Sequence, residues 1–310
     1  MRLTPRIEEN VPELPEVEVS RRRLAPMLIG RRLSEVSTSR PSRFFITDPR
    51  RLRERLPGRV VLDLVRRGKY LLVVLDDGSS LLLHLGMTGQ LLCAGCSNPR
   101  LLLGGERVGE RVAERAAERA APPWPGFSPD QHTHLQLGFE DGGPAILFRD
   151  VRRFGRVMLV EPGEEVARLL RLGPDALEVS ADQLWQASRG RRRAVKSMLL
   201  DQSVLAGVGN IYADEALFRA GVRPTRRAGR LRRQECEALA AALRQVLERG
   251  IETGGSSVDD FVAPDGSDGS YQTEHLVYQR DGQPCQRCGR ELERVVVGGR
   301  SSHYCPSCQR

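Results

Sequence analysis

The sequence predicts an α+β multidomain protein: an N-terminal β-sandwich with a helix, an all-helical module and a C-terminal zinc ribbon. Three observations predict it. Apolar residues recur at strand spacing from about residue 60 to 161 and at helical spacing after Pro162-Gly163, and four cysteines close the chain as two CxxC pairs.

The elements follow in order. From Pro15 to Gly30 the pattern is helical: Val17, Leu24 and Leu28 share a face, Pro15 suits a first helical position and Gly30 suits the end. VVLDLV, KYLLVVL and SLLLHL, between Val60 and Leu85 with a turn at Asp77-Gly78, read as neighbouring antiparallel strands. HLQLGFE, AILFR and RVMLVE, between His134 and Glu161, read as further strands. Beyond them, helices are expected near Glu165–Leu172, Ala181–Ala187, Val195–Leu205, Ile211–Ala220 and Leu231–Ile251. A Gly/Ser/Asp-rich loop then runs from Gly254 to Tyr271, a composition that favours mobility. The resulting segments are a short extension (1–11), a sandwich (12–161) interrupted by an insertion (about 97–127), the helical module (162–253), the loop (254–271) and the ribbon (272–310). Within the insertion, Glu-Arg pairs repeat every four residues from Glu106 to Arg119. A binding arm is one reading; a solvated low-complexity segment ending in the stiff Pro122-Pro123-Trp124-Pro125 is favoured.

The chain has 310 residues and a formal charge of +8. A basic excess carried mostly by arginine points to a polyanionic partner, nucleic acid above all, or to an arginine-rich proteome. No stretch approaches the ~20 apolar residues of a membrane span, and the first ten residues lack the apolar core of a signal peptide. The expectation is a cytoplasmic, nucleoid-associated monomer with no membrane partner.

Cysteines in a reducing compartment are thiols or metal ligands rather than disulfides. Cys285-x2-Cys288 and Cys305-x2-Cys308 are sixteen residues apart, a spacing that lets four thiolates bind one Zn²⁺ tetrahedrally. With four protein ligands the zinc is structural, and Leu292–Val297 with Gly298-Gly299 suits a hairpin between the knuckles. Cys93 and Cys96 have no second pair nearby and read as bystanders, with a redox switch as the alternative. Cys236 reads as a small core residue.

Near the start stands Val11-Pro12-Glu13-Leu14-Pro15-Glu16-Val17-Glu18. An internal proline nitrogen is a tertiary amide without nucleophilic character. A terminal one is a secondary amine, and α-amino groups titrate at about 7.7–8.0, leaving a useful neutral fraction. Chemistry at Pro12 therefore depends on its being the first residue.

PELPEVE, RGKYL (Arg67–Leu71), HLGMTG (His84–Gly89), DVRRFG (Asp150–Gly155), GVGNIYADE (Gly207–Glu215) and the ribbon occur in that order. Together they resemble the formamidopyrimidine-DNA glycosylases, bifunctional enzymes that remove oxidised purines from DNA, over all of Pro12–Arg310 except about Ser97–Phe127. Leu14 stands where the endonuclease VIII branch has glycine. The resemblance implies a helix–two-turn–helix module and double-stranded DNA with oxidised purines or abasic sites as partner. It implies that the amine of Pro12 attacks C1′ of the damaged nucleotide and forms a Schiff base, that β,δ-elimination follows, and that Glu13 shuttles protons. It makes Lys69 a proton donor and phosphate contact. It makes Arg300, at the hairpin, the group that grips the lesion phosphates. Met87, Arg152 and Phe154 would fill the hole left by a flipped base. Asn210, before whose helix Gly207 and Gly209 would let a phosphate approach, contacts DNA, as do His84, His132, Arg191 (often lysine in the family) and Lys196. The 254–271 loop would close over the flipped base.

Read alone, each residue has a plainer role: Glu13 a helix-start carboxylate, Lys69 and Arg300 solvated cations, Met87 and Phe154 core side chains, Asn210 an N-cap. The family starts Met-Pro-Glu-Leu-Pro, and Val11 occupies the Met slot, as a GTG start codon read internally would give. Residues 1–11 are therefore expected to be non-native. If they remain, Pro12 is blocked and the protein is a silent lesion-binding protein. An endonuclease VIII-like activity on oxidised pyrimidines is the other alternative.

Overall fold

The computed structural model describes residues 12–103, 126–257 and 261–310. The extension and the Glu-Arg repeat lie outside the described residues.

Helix α1 (Leu14–Leu28) opens the fold. Its apolar residues divide between two cores. Val17, Leu24 and Leu28 pack into the sandwich, whereas Leu14 and Val19 pack into the helical module. A helix covered on two sides buries its polar residues too, and Glu13, Glu16 and Glu18 are at most 6% exposed. Gly30 ends it in a left-handed conformation at φ +83°.

The sandwich has two four-stranded antiparallel sheets. One is ordered β2 (Val61–Arg67), β3 (Tyr70–Leu75), β4 (Ser80–His84), β8 (Arg156–Val160). The other is ordered β1 (Leu33–Thr38), β6 (Thr133–Phe139), β7 (Ile146–Asp150), β5 (Gly89–Cys93). Leu64, Leu71, Val73 and Leu83 meet Leu91, Leu135, Leu137 and Phe148 between them. Three elements escaped the sequence patterns: β1, β5 and a short helix α2 (Pro49–Arg55). Strand β1 carries a bulge between Leu33 and Val36 that breaks its alternation, and β5 is nearly all buried and so does not alternate.

The helical module contains α3 (Ala167–Leu170), α4 (Ala181–Ser188), α5 (Val195–Leu199), α6 (Asn210–Arg219) and α7 (Arg233–Glu252). The helix expected over Val195–Leu205 stops at Leu199, where Asp201 folds back to accept from the Ser203 amide and hydroxyl. Cys236 is fully buried on the core face of α7 with Leu239, Leu243 and Val246. In the ribbon, β9 (Glu293–Val297) and β10 (Arg300–Tyr304) pair across Gly298-Gly299, both at positive φ as a two-residue hairpin turn requires. Three successive amides, of Leu276, Val277 and Tyr278, donate to the buried Glu215 carboxylate and fix the ribbon to α6.

Two expectations are corrected. The described part of the 254–271 loop is packed, not loose: Ser257, Val262, Ala263 and Tyr271 are buried. The ends of the 97–127 segment are also built in, with Leu101 and Phe127 in a small core with Leu92, Leu147 and Val262. Among the described residues no helix is long and apolar enough to cross a membrane.

Candidate active site

Three backbone segments meet in front of α1. The Leu14 amide donates to the Gly207 carbonyl at 3.0 Å. A Cβ on Gly207 would lie 2.5 Å from the Leu14 side chain, and one on Gly209 would lie 2.2 Å from the Glu13 carboxyl carbon. The glycines of GVGN thus admit Glu13 and Leu14 rather than a phosphate, which corrects the sequence expectation for them. Gly68, at φ +56°, brings the β2–β3 turn against Ala206 and the Gly207 amide. Pro12, Glu13, Lys69 and Asn210 are gathered in this way.

Glu13 accepts hydrogen bonds from the amides of Ile211 (2.9 Å) and Tyr212 (3.4 Å), so a carboxylate of the chain itself occupies the N-terminus of α6. Burial pushes Glu13 up to about 7; the charge on Lys69 and the two amides oppose that rise, and Glu16 adds to it. Burial holds Lys69 below the usual lysine range, with Glu13 opposing and Arg300 reinforcing the shift. Arg300 opens β10, the strand that Lys196 joins at the Ser301 carbonyl, and its charge bears on Lys69. Asn210 is the first residue of α6, with Gly209 as the N-cap, and its buried Oδ1 has no hydrogen-bond partner among the described residues.

His84, half-buried on β4, is pushed down to about 4 by burial and by Lys69, Arg156 and Arg168, so it is neutral at pH 7. Its Nδ1 lies 3.2 Å from the Gly86 amide. Met87 and the Arg152–Phe154 pair sit on two loops in close contact, since a Cβ on Gly86 would lie 2.5 Å from the Phe154 carbonyl carbon. Arg152 is exposed, its guanidinium 4.6 Å from the Phe154 ring centre, with Arg43 at 4.9 Å. Arg153 between them adopts φ +56°, a conformation uncommon outside glycine. His132 lies beneath the same loop, its carbonyl accepting from the Asp150 amide. Arg191 is separate: its Nε donates to the Ala187 carbonyl at 2.5 Å and its backbone packs on Gly229.

Lys196 is not a DNA contact. It is fully buried, 2.7 Å from Asp214 Oδ1, and donates to the Ser301 carbonyl at 2.7 Å. Asp214 also accepts from the His303 amide at 2.9 Å. The pair braces β10, which begins with Arg300.

Two residues that matter here, Glu16 and Asp150, gave no distinct signal in the sequence. Glu16 accepts from the Glu13 amide, the Tyr212 hydroxyl and the Ser256 amide, at 2.9, 2.8 and 2.8 Å. Asp150, fully buried, accepts from Thr88, Arg152 and Gly155 and ties the Met87 loop to the Arg152 loop. Both acids lie inside motifs, PELPE and DVRRFG, whose other members drew attention first.

The four ribbon sulfurs lie within 4.8 Å of one another, and Cys288 Sγ is 3.5 Å from Cys305 Sγ. Ligands at about 2.3 Å from a tetrahedral zinc stand just under 4 Å apart, so the donor set and spacing fit one structural ion. Cys285, Cys288, Cys305 and Cys308 would hold it.

A sandwich, a helical module and a four-thiolate ribbon meeting around Glu13 and Lys69 are the parts of a DNA-repair glycosylase. The sequence profiles of the formamidopyrimidine-DNA glycosylase N-terminal domain, its helix–two-turn–helix domain, and a zinc finger of FPG and IleRS match residues 11–157, 172–262 and 282–310. The formamidopyrimidine-DNA glycosylase of Cereibacter sphaeroides is 44% identical over 306 residues, covering 97% of this chain and all of that one. The crystal structure of MutM (Fpg) from Thermus thermophilus superposes with a TM-score of 0.78 at 40% identity, covering 96% of this chain and 98% of that one. Lactococcus lactis Fpg in complex with DNA containing an abasic site gives 0.80 at 28% identity, covering 96% and 99%. The chain belongs to the formamidopyrimidine-DNA glycosylase family, the DNA glycosylases and AP lyases of base-excision repair.

Proposed function

We propose that this protein excises oxidised purines from duplex DNA with the amine of Pro12 as nucleophile. The observation that carries this reading is Glu13: a carboxyl group next to Pro12, buried at the start of α6 and titrating near neutrality. A group of that kind gives and takes a proton at working pH.

The amine attacks C1′ and the base leaves with a proton. Glu13 delivers a proton to the ribose ring oxygen as the ring opens to the iminium. The iminium withdraws electrons from the sugar, so loss of a C2′ proton expels the 3′ phosphate and a second elimination expels the 5′ phosphate. Lys69 handles a proton in the first elimination and Arg300 steadies the phosphates. The target must first leave the stack, at a cost of a few kcal/mol. Met87 and Phe154 wedge the gap, while Arg152 hydrogen-bonds the orphaned cytosine. His84, His132, Arg191 and Asn210 hold the backbone, Asn210 by donating from its Nδ2, since phosphate oxygens only accept. The net charge of +8 supports binding to the DNA polyanion.

This chemistry requires the chain to begin at Pro12. Intact-mass analysis of protein from its natural host tests that, with a terminal Pro12 expected. The same protein is then mixed with an 8-oxoguanine:cytosine duplex and borohydride. A covalent adduct is expected; its absence from protein with a free Pro12 overturns the Schiff-base reading. Faster excision of thymine glycol than of 8-oxoguanine would transfer the activity to oxidised pyrimidines.

A further inference from the structure

The described parts of the 254–271 loop are anchored at two ends. On one side the Ser256 amide donates to Glu16, one turn from Pro12. On the other, residues 262–268 rest on the base of the 97–127 segment. Asn98 is 5% exposed, and its Nδ2 donates to the Gly266 carbonyl at 2.8 Å and to Asp268 Oδ1 at 3.0 Å. Its Oδ1 accepts from the Arg100 amide at 2.8 Å, so both ends of the amide are engaged. Arg100 Nε lies 3.4 Å from the same Asp268 oxygen. The Cys93 amide donates to the Pro264 carbonyl at 2.8 Å. Gly266, at φ +87°, leaves no room for a side chain: a Cβ there would lie 2.7 Å from the Ser97 carbonyl oxygen. Beneath these bonds Val262, Leu101, Phe127 and Cys96 form one apolar cluster.

We infer that Asn98 is a positioning residue for excision, pre-ordering residues 262–268 of the loop that, in the base-flipping excision proposed above, would cover the flipped base. The inference rests on that proposal. The segment's base then has a function of its own, as the seat of the loop. A loop already ordered loses less conformational entropy when it closes on a base. The effect is specific to base removal. An abasic site has no base to cover, so the lyase steps on a preformed abasic site do not need the seat.

The test is Asn98→Asp, which keeps shape but removes both donors and turns a carboxylate toward Asp268, with Asn98→Ala beside it. Protein beginning at Pro12 is assayed in single-turnover excision on an 8-oxoguanine:cytosine duplex and in borohydride trapping on an abasic-site duplex. Amide exchange of 261–268 is followed without DNA. Losing a buried donor pair predicts excision slowed about tenfold or more, trapping on the abasic duplex within about twofold of the parent, and faster exchange in 261–268. Unchanged excision, a parallel fall in both activities, or unaltered exchange overturns the inference. If the parent protein is trapped on neither duplex, the proposed catalytic reading fails instead, and exchange at 261–268 still decides whether Asn98 seats the loop.

Discussion

The carboxylate of Glu13 caps a helix that starts 197 residues later: its Oε1 accepts from the amide of Ile211, the second residue of α6, at 2.9 Å. The helix dipole favours the charged form and burial opposes it more strongly, leaving the group near neutrality. The contact joins the start of α1 to the helical module, and the burial that comes with it raises the residue beside Pro12 toward neutrality.

That balance has a signature in stability. The folded Glu13 holds its proton up to about 7, above its ordinary value of 4.5. Below pH 4.5 both folded and unfolded chains are protonated there, so the group has no effect. Between about 4.5 and 7 the unfolded chain has released the proton and the folded chain keeps it, so stability falls as pH rises, and it levels off above 7. Glu13→Gln is expected to remove that part of the slope in urea titrations run across this range. It is also expected to slow excision by about 100-fold or more, the usual share of a general acid or base. An unchanged stability slope would show that Glu13 does not titrate there.

Lys196 and Asp214 form a fully buried ion pair, 2.7 Å apart. Removing one partner strands the other charge, at a cost of about 3–5 kcal/mol. Lys196→Met is expected to lower unfolding free energy by about that much while leaving the salt dependence of DNA affinity as in the parent. Arg191→Ala is expected to do the reverse, reducing the slope of log affinity against log salt by about one with little loss of stability. A reduced salt slope in Lys196→Met without destabilisation would restore it to the DNA contacts.

Arg152 is exposed, but the loop that presents it is fixed by Asp150 and by the left-handed Arg153. Arg152→Ala is accordingly expected to change stability by no more than about 0.5 kcal/mol. The preference for cytosine over adenine opposite 8-oxoguanine should fall about tenfold, the value of one lost side-chain contact to a base. Single-turnover excision on the two duplexes measures it. A preserved ratio would assign the opposite-base contact to another residue.

Which features were legible in the sequence follows from how far their causes lie along the chain. Strands β2 to β4 and helix α7 carry their reasons locally, in alternation, an Asp-Gly turn or helical periodicity, and so do the two CxxC pairs. Strand β1 did not, because its bulge hides the alternation, and α1 showed only the face turned to the sandwich. In the site, the glycines before Asn210 looked like a phosphate cradle. That misreading has a physical source: the same absence of Cβ serves any close approach, and only the fold shows that Glu13 and Leu14 make it. Lys196 failed likewise, since a lysine paired with an aspartate eighteen residues on looks in sequence like any basic residue near a DNA-binding motif.

The hairpin links the four zinc ligands to Arg300. The ion fixes the two CxxC turns, β9 and β10 join them, and Arg300 opens β10. A ribbon of this size buries too little apolar surface to fold unaided, so metal binding supplies most of its folding free energy. The sandwich has a core of its own and does not depend on the metal. Chelation, or Cys305→Ser, is therefore expected to make the amides of 293–304 exchange rapidly while those of β2 to β4 stay protected. The activities should part as well. With Arg300 released, elimination at abasic-site DNA should stop at β rather than proceed to δ, while borohydride still traps the Pro12 adduct at reduced yield. Gel separation of the two cleavage products, with trapping on the same samples, measures both. Undiminished δ-product from zinc-free protein would remove Arg300 from that step.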